Sequence, residues 1–96
     1  MTEKRKAFEE KLDAQIKELS AQMALLKTKA DKAKAEAKIE YYTTIEALHH
    51  KRDIAKAKLH ELKTSGEDAW DNLKAGTEKA WDEFKSAFHA AASKFK

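Results

Sequence analysis

The sequence has no cysteine and no proline, and its only glycines are Gly66 and Gly76. Without cysteine there is no disulfide framework and no thiolate chemistry. With no proline, and no glycine before position 66, the usual helix breakers are missing from the first two thirds of the chain. No apolar run approaches the ~20 residues that cross a bilayer. The opening Met1-Thr2-Glu3-Lys4-Arg5-Lys6 is charged. No hydrophobic segment of signal-peptide type follows it, so the expected location is the cytoplasm. An excess of one charge is missing too. Residues 1–63 carry 15 basic and 11 acidic side chains, and residues 64–96 carry 5 and 6. Neither part is a basic arm, so nucleic acid is not indicated as a partner.

What is present is helix-forming. Ala, Glu, Lys and Leu dominate, as in long helices and coiled coils, and 96 residues leave room for one domain. Between residues 3 and 63 the apolar side chains form a single stripe. It runs through Phe8, Leu12, Ile16, Leu19, Met23 and Leu26, narrows to Ala30, Ala33 and Ala37, and resumes with Tyr41, Ile45, Leu48, Ala55, Leu59 and Leu62. Its mean step is about 3.6 residues, so a nearly straight seam is expected rather than a strict heptad supercoil. As one helix the segment would reach about 90 Å.

The alanine stretch, Lys27 to Lys38, allows two readings. In one, alanine lets helices approach closely while lysine stems cover the flanks. In the other, the helix breaks with Thr28 or Asp31 as an N-cap, giving three helices of similar length. Alanine and lysine are strong helix formers and no Gly, Pro or Asn is present, which favours continuity.

The first clear punctuation is Lys63-Thr64-Ser65-Gly66-Glu67-Asp68. Lys63 suits a helix end and Gly66 can adopt the left-handed closing conformation. Glu67 and Asp68 suit the positive end of the next helix dipole. Beyond this turn, Ala69-Trp70-Asp71-Asn72-Leu73-Lys74 recurs eleven residues later as Ala80-Trp81-Asp82-Glu83-Phe84-Lys85. Eleven residues make three helical turns with an offset of about 20°, so the copies stack. Trp70, Leu73, Thr77, Trp81, Phe84, Phe88, Ala91 and Phe95 therefore share one face.

The expected fold is all-α and a single helical domain over residues 1–96. A long helix spans about 3–63, a turn covers 64–67, and a shorter amphipathic helix spans about 68–94. The two form a helical hairpin of coiled-coil or bundle type. The shorter helix could cover only about Tyr41 to Leu62 of the long one. Phe8 to Leu26 would then need a second copy, most simply in an antiparallel two-fold dimer. The expected interaction face is Phe8, Leu12, Ile16, Leu19, Met23, Leu26, Trp70, Leu73, Trp81, Phe84, Phe88 and Phe95.

The chain from about Lys27 to Phe95 resembles a group of small bacterial coiled-coil proteins of cyanobacteria and proteobacteria, often labelled as stress-response or uncharacterised proteins. The resemblance rests on the alanine-lysine-rich middle, the Ile45-Glu46-Ala47-Leu48 segment, and above all the block from Glu67-Asp68-Ala69-Trp70-Asp71 to Ala80-Trp81-Asp82-Glu83-Phe84. It implies a soluble, all-helical protein with a stress association. It carries no catalytic motif.

Candidate chemistry is sparse. His49, His50, His60 and His89 are the only imidazoles. With no cysteine and no His-Glu-x-x-His spacing, solvated histidines are the reading in place of metal ligands. No nucleophile–base arrangement and no glycine-rich phosphate loop is present. No enzyme activity, cofactor or small-molecule substrate is therefore expected. Lys4, Arg5, Lys6 and the lysines from 27 to 38 read as a solvated face, because acids interleave them. The tryptophan stripe reads first as a core surface. Its alternative is a membrane-surface helix, which Asp71, Asp82 and Glu83 oppose on anionic lipid. Function is expected to be that of a non-enzymatic, self-associating structural or interaction protein, with a lipid surface as the alternative partner.

Overall fold

A computed structural model describes residues 2–95, and it holds three helices. Helix α1 spans Glu3–Asp31, α2 spans Ala35–Thr64 and α3 spans Glu67–Lys94. The expected helix over 3–63 is thus two helices, separated at Lys32, Ala33 and Lys34. α2 runs back along α1, and α3 runs back along α2, so α1 and α3 are parallel. The result is an up-down-up bundle with extents of 51 × 18 × 17 Å, well short of the expected rod.

The break has a physical reason that local propensity does not contain. Opening three residues forfeits a few helical hydrogen bonds, each worth roughly 1 kcal/mol net. Folding back buries Leu12, Ile16, Leu19, Met23 and Leu26 on α1 against Ile45, Leu48, Leu59 and Leu62 on α2. Each such side chain contributes about 1.5–3 kcal/mol, so burial wins. The turn has little local support. Neither Thr28 nor Asp31 is the N-cap. Thr28 Oγ1 donates to its own helix at Ala24, and Asp31 is the last residue of α1. The N-cap of α2 is Lys34, with extended backbone and no side-chain capping bond.

Gly66 also departs from expectation. Its φ is −73°, and no described residue other than glycine, and neither glycine, has positive φ. The α2–α3 link is closed differently. Ser65 is the C-cap of α2, its Oγ donating to Leu62 O at 2.7 Å. Gly66 O accepts from the N–H groups of Ala69 and Trp70 at 3.2 and 3.1 Å, and so starts α3.

The seam of α1 is phased one residue away from the expected one at its start. Its buried positions are Arg5, Glu9, Leu12, Ile16, Leu19, Met23, Leu26 and Ala30, in alternating steps of four and three. That is a spacing of about 3.5 residues rather than 3.6. Glu9, not Phe8, occupies the seam. On α3 the eleven-residue repeat shows in pairs. Thr77 and Phe88, Ala80 and Ala91, Phe84 and Phe95 are all buried, while Trp70 and Trp81 are both half-buried. The core has two parts. An upper cluster near the α1–α2 turn is centred on Met23, Leu26, Leu48, Phe84 and Phe88. A lower one near the α2–α3 turn holds Leu12, Ile16, Ala55, Leu59, Leu62 and Ala80. Tyr41 stacks on Phe95 at the top, with ring centroids 3.9 Å apart.

Candidate interaction surface

The first two seam positions of α1 are charged, and they build a polar clamp at the lower end of the bundle. Arg5 and Glu9 are only 6% and 7% exposed. Arg5 Nε donates to Glu9 Oε2 at 3.0 Å. Arg5 Nη2 donates to the backbone carbonyls of Leu62, Lys63 and Ser65 at 3.1, 3.4 and 2.7 Å. A helix leaves its last carbonyls without partners, and its C-terminus carries partial negative charge. One guanidinium from α1 answers both needs of α2. Glu9 Oε2 also accepts from Trp70 Nε1 at 2.9 Å, which ties α3 to the same point. Among the described residues no buried side-chain nitrogen or oxygen lacks a partner, as a buried charged network requires. At the opposite end Lys29 Nζ donates to Phe95 O, the C-cap of α3, at 3.5 Å. α1 therefore reaches the C-terminal ends of both other helices.

The sequence reading missed this clamp, counting Arg5 only among basic residues of a solvated face. The signal was present. Arg5 and Glu9 lie seven residues before Leu12 and Ile16, in phase with the seam. They are also an opposite-charge pair at i, i+4.

The flank between α1 and α3 is open and aromatic-lined. Three shallow clefts follow one another along it. The lowest, about 340 Å³, is lined in part by Lys4, Phe8, Trp70 and Asp71. The next, about 240 Å³, has Lys11, Leu12, Glu78 and Trp81. The third, about 170 Å³, has Glu18, Leu19, Trp81 and Lys85. Phe8 meets Trp70 edge to face at 5.7 Å. Lys74 Nζ lies 4.9 Å from the Phe8 ring centre and 5.6 Å from that of Trp70. Lys85 Nζ lies 6.0 Å from that of Trp81. Lysine side chains thus cover aromatic rings that no helix covers.

The expected interaction face divides in two. Leu12, Ile16, Leu19, Met23, Leu26, Phe84, Phe88 and Phe95 are buried inside this one chain. Phe8, Trp70, Leu73 and Trp81 are half-buried; Phe8, Trp70 and Trp81 line the α1–α3 flank. The remaining large exposed apolar side chains, Leu25, Ile39, Tyr42 and Ile54, are dispersed over the surface.

The titratable groups that depart from ordinary behaviour are at the surface. Asp13 is lowered first by its bond to Lys17, with Lys63 adding to it. Asp31 is lowered first by the Tyr42 hydroxyl, which donates to Asp31 Oδ1 at 2.6 Å across the α1–α2 turn. Tyr42 is raised by the same bond. Among the described residues no group of three or more His, Asp or Glu converges as a metal site. No described helix is long and apolar enough to cross a membrane.

The class that fold and surface define is an all-helical three-helix bundle with one open, aromatic-lined flank. Comparison with family models finds no match, and comparisons with curated proteins and with solved structures find none either.

Proposed function

We propose that this chain is a non-enzymatic helical interaction or structural protein that associates with copies of itself. A stress-related role is part of the reading and rests on the resemblance of the Glu67–Phe84 block alone. One observation carries the association: Phe8, Trp70 and Trp81 lie half-exposed in a row of clefts on a single flank, whereas the cleft between α2 and α3, lined in part by Ala47 and Ile54, holds no phenylalanine, tyrosine or tryptophan. Aromatic residues in this setting are the usual anchors of protein interfaces. Sedimentation equilibrium of the full chain across the micromolar range tests the reading. The expected mass is a multiple of 10.9 kDa. A mass of one chain at every concentration would contradict it.

The half-exposed Trp70 and Trp81 also favour a second reading, binding of a lipid surface through α3. Phe84, Phe88 and Phe95 point into the core, so this binding requires the bundle to open. Vesicles would then shift tryptophan emission to the blue and break the contacts of α3 with α1. Unchanged emission with both neutral and anionic vesicles removes it.

A further inference from the structure

We infer that the α1–α3 flank takes a second copy of this chain, packed parallel to the first about a two-fold axis that runs along the bundle. This rests on the self-association proposed above and names its surface and its geometry.

The charges on the two sides of the flank carry the inference. On α1, Lys4, Lys11 and Glu18 follow one another at seven-residue intervals. On α3, Asp71, Glu78 and Lys85 do the same. The two rows are level: Lys4 and Asp71 line the lowest cleft, Lys11 and Glu78 the next, Glu18 and Lys85 the third. Within these rows the signs are opposite at every level, although Lys74 also lines the lowest cleft and Lys85 reaches the second. Yet among the described residues no ion pair joins Lys4, Lys11 or Glu18 to Asp71, Glu78 or Lys85 within the chain; Glu78 pairs instead with Lys74 and Lys85 with Asp82, inside α3. A two-fold axis parallel to the helices sets α1 of each copy over α3 of the other at the same level. Lys4 then meets Asp71 of the second copy, Lys11 meets Glu78, and Glu18 meets Lys85, each twice. An antiparallel two-fold sets α1 over α1 and α3 over α3 and loses this pattern. Complementary rims of this kind fix register and suppress wrong partners.

The remaining properties agree. The half-buried Phe8, Trp70 and Trp81 would form the centre, and the charged rows the rim, the usual anatomy of an interface. Lys74 and Lys85 leave the aromatic rings for the rim on long flexible stems. Leu25, the next residue in the α1 row, is 69% exposed and would gain cover at the upper end. The bundle is 51 Å long and 18 Å wide, so the flank would have to be covered along most of its length to reach the roughly 800 Å² per partner of a standard interface. A lipid surface fits less well, because Glu18, Asp71 and Glu78 cancel Lys4, Lys11 and Lys85 and leave no net attraction for anionic headgroups.

The test is a charge-swap series on the full chain, read by sedimentation equilibrium. K4E/K11E makes the α1 row acidic, and D71K/E78K makes the α3 row basic. All four positions are exposed, so the core is untouched, and circular dichroism checks the helicity of each variant. The wild type should form a dimer, and each variant should bind itself roughly a hundredfold more weakly or worse. An equimolar mixture of the two should restore dimers, because acidic α1 then faces basic α3 and the remaining rows are wild type. Charges that act only within one chain give no such rescue. As a second readout, oxidising a mixture of K11C and E78C chains should give a disulfide between unlike chains. If the wild type dimerises and neither variant weakens it, this surface is wrong while self-association stands. A wild type that is monomeric throughout overturns both. A monomer whose tryptophan emission shifts on vesicles overturns both and favours lipid binding through α3.

Discussion

The two turns of this bundle reach the same result by opposite means. The lower one, Ser65–Gly66, is marked in the sequence by small and polar residues. It is then held from outside, by a guanidinium 60 residues away whose Nη2 lies 2.7 Å from Ser65 O. The upper one, Lys32–Lys34, has no glycine, no proline and no side-chain cap. It forms inside one of the most helix-prone stretches of the chain. Its neighbours decide it: Ala30 is fully buried on one side, and Tyr41 packs against the upper cluster on the other. Turns can therefore be placed by local chemistry or by what the flanking helices gain on closing. Only the first kind is written locally.

Disturbing the upper core should have the largest effect. Phe84 is fully buried in the cluster beneath the upper turn. Phe84→Ala should cost about 3–5 kcal/mol in chemical denaturation. If the upper turn depends on this packing, the tyrosine contact of Asp31 with Tyr42 should loosen in the same variant, as read by NMR. The lower turn comes next. Arg5→Met removes one partner of a buried pair and three carbonyl contacts, and should cost about 3 kcal/mol. Adding Glu9→Met should recover part of that loss, because the stranded carboxylate goes with it. A double-mutant cycle with no coupling between positions 5 and 9 would contradict the clamp.

A smaller change should act in the opposite direction. Lys34 is an N-cap with extended backbone and no capping bond. Lys34→Asp supplies the acceptor that the first N–H groups of α2 lack, and should stabilise the fold by about 1 kcal/mol. A loss of stability would mean that α2 does not begin there.

The smallest effect is that of pH on the contact across the upper turn. Asp31 is held below its ordinary value of 3.8 by the Tyr42 hydroxyl. The contribution of this bond is present above that value and fades as pH falls beneath it. Tyr42 is raised above its ordinary 10.0, so its side of the same bond is intact below 10.0 and is lost as pH climbs past it. Tyr42→Phe should therefore be slightly less stable than the wild type between these limits and indistinguishable outside them. The test is a denaturation series against pH.

The helical class of the chain was legible because the apolar stripe and the eleven-residue repeat are periodic over many turns. Ala69-Trp70 and Ala80-Trp81 announce α3 with no help from tertiary structure. The break at Lys32–Lys34 was not legible, because propensity at lysine and alanine points towards continuity and the compensating burial lies tens of residues away. For the same reason the ribbon from Leu12 to Leu26, expected to need another copy, is closed by α2 and α3 of its own chain. Arg5 and Glu9 were hidden by their charge. A seam shows itself in sequence through apolar residues, and two ionic side chains in the right phase do not stand out in it.

The self-closed ribbon is the central claim, and one distance tests it most directly. The absence of cysteine allows spin labels to be placed at Lys6→Cys and Thr64→Cys, both exposed, in protein diluted with unlabelled chain. With α2 folded back on α1 the labels should lie roughly 20 Å apart, as expected for neighbouring packed helices. A continuous helix from 3 to 63 would hold them about 85 Å apart, and that result would contradict the account.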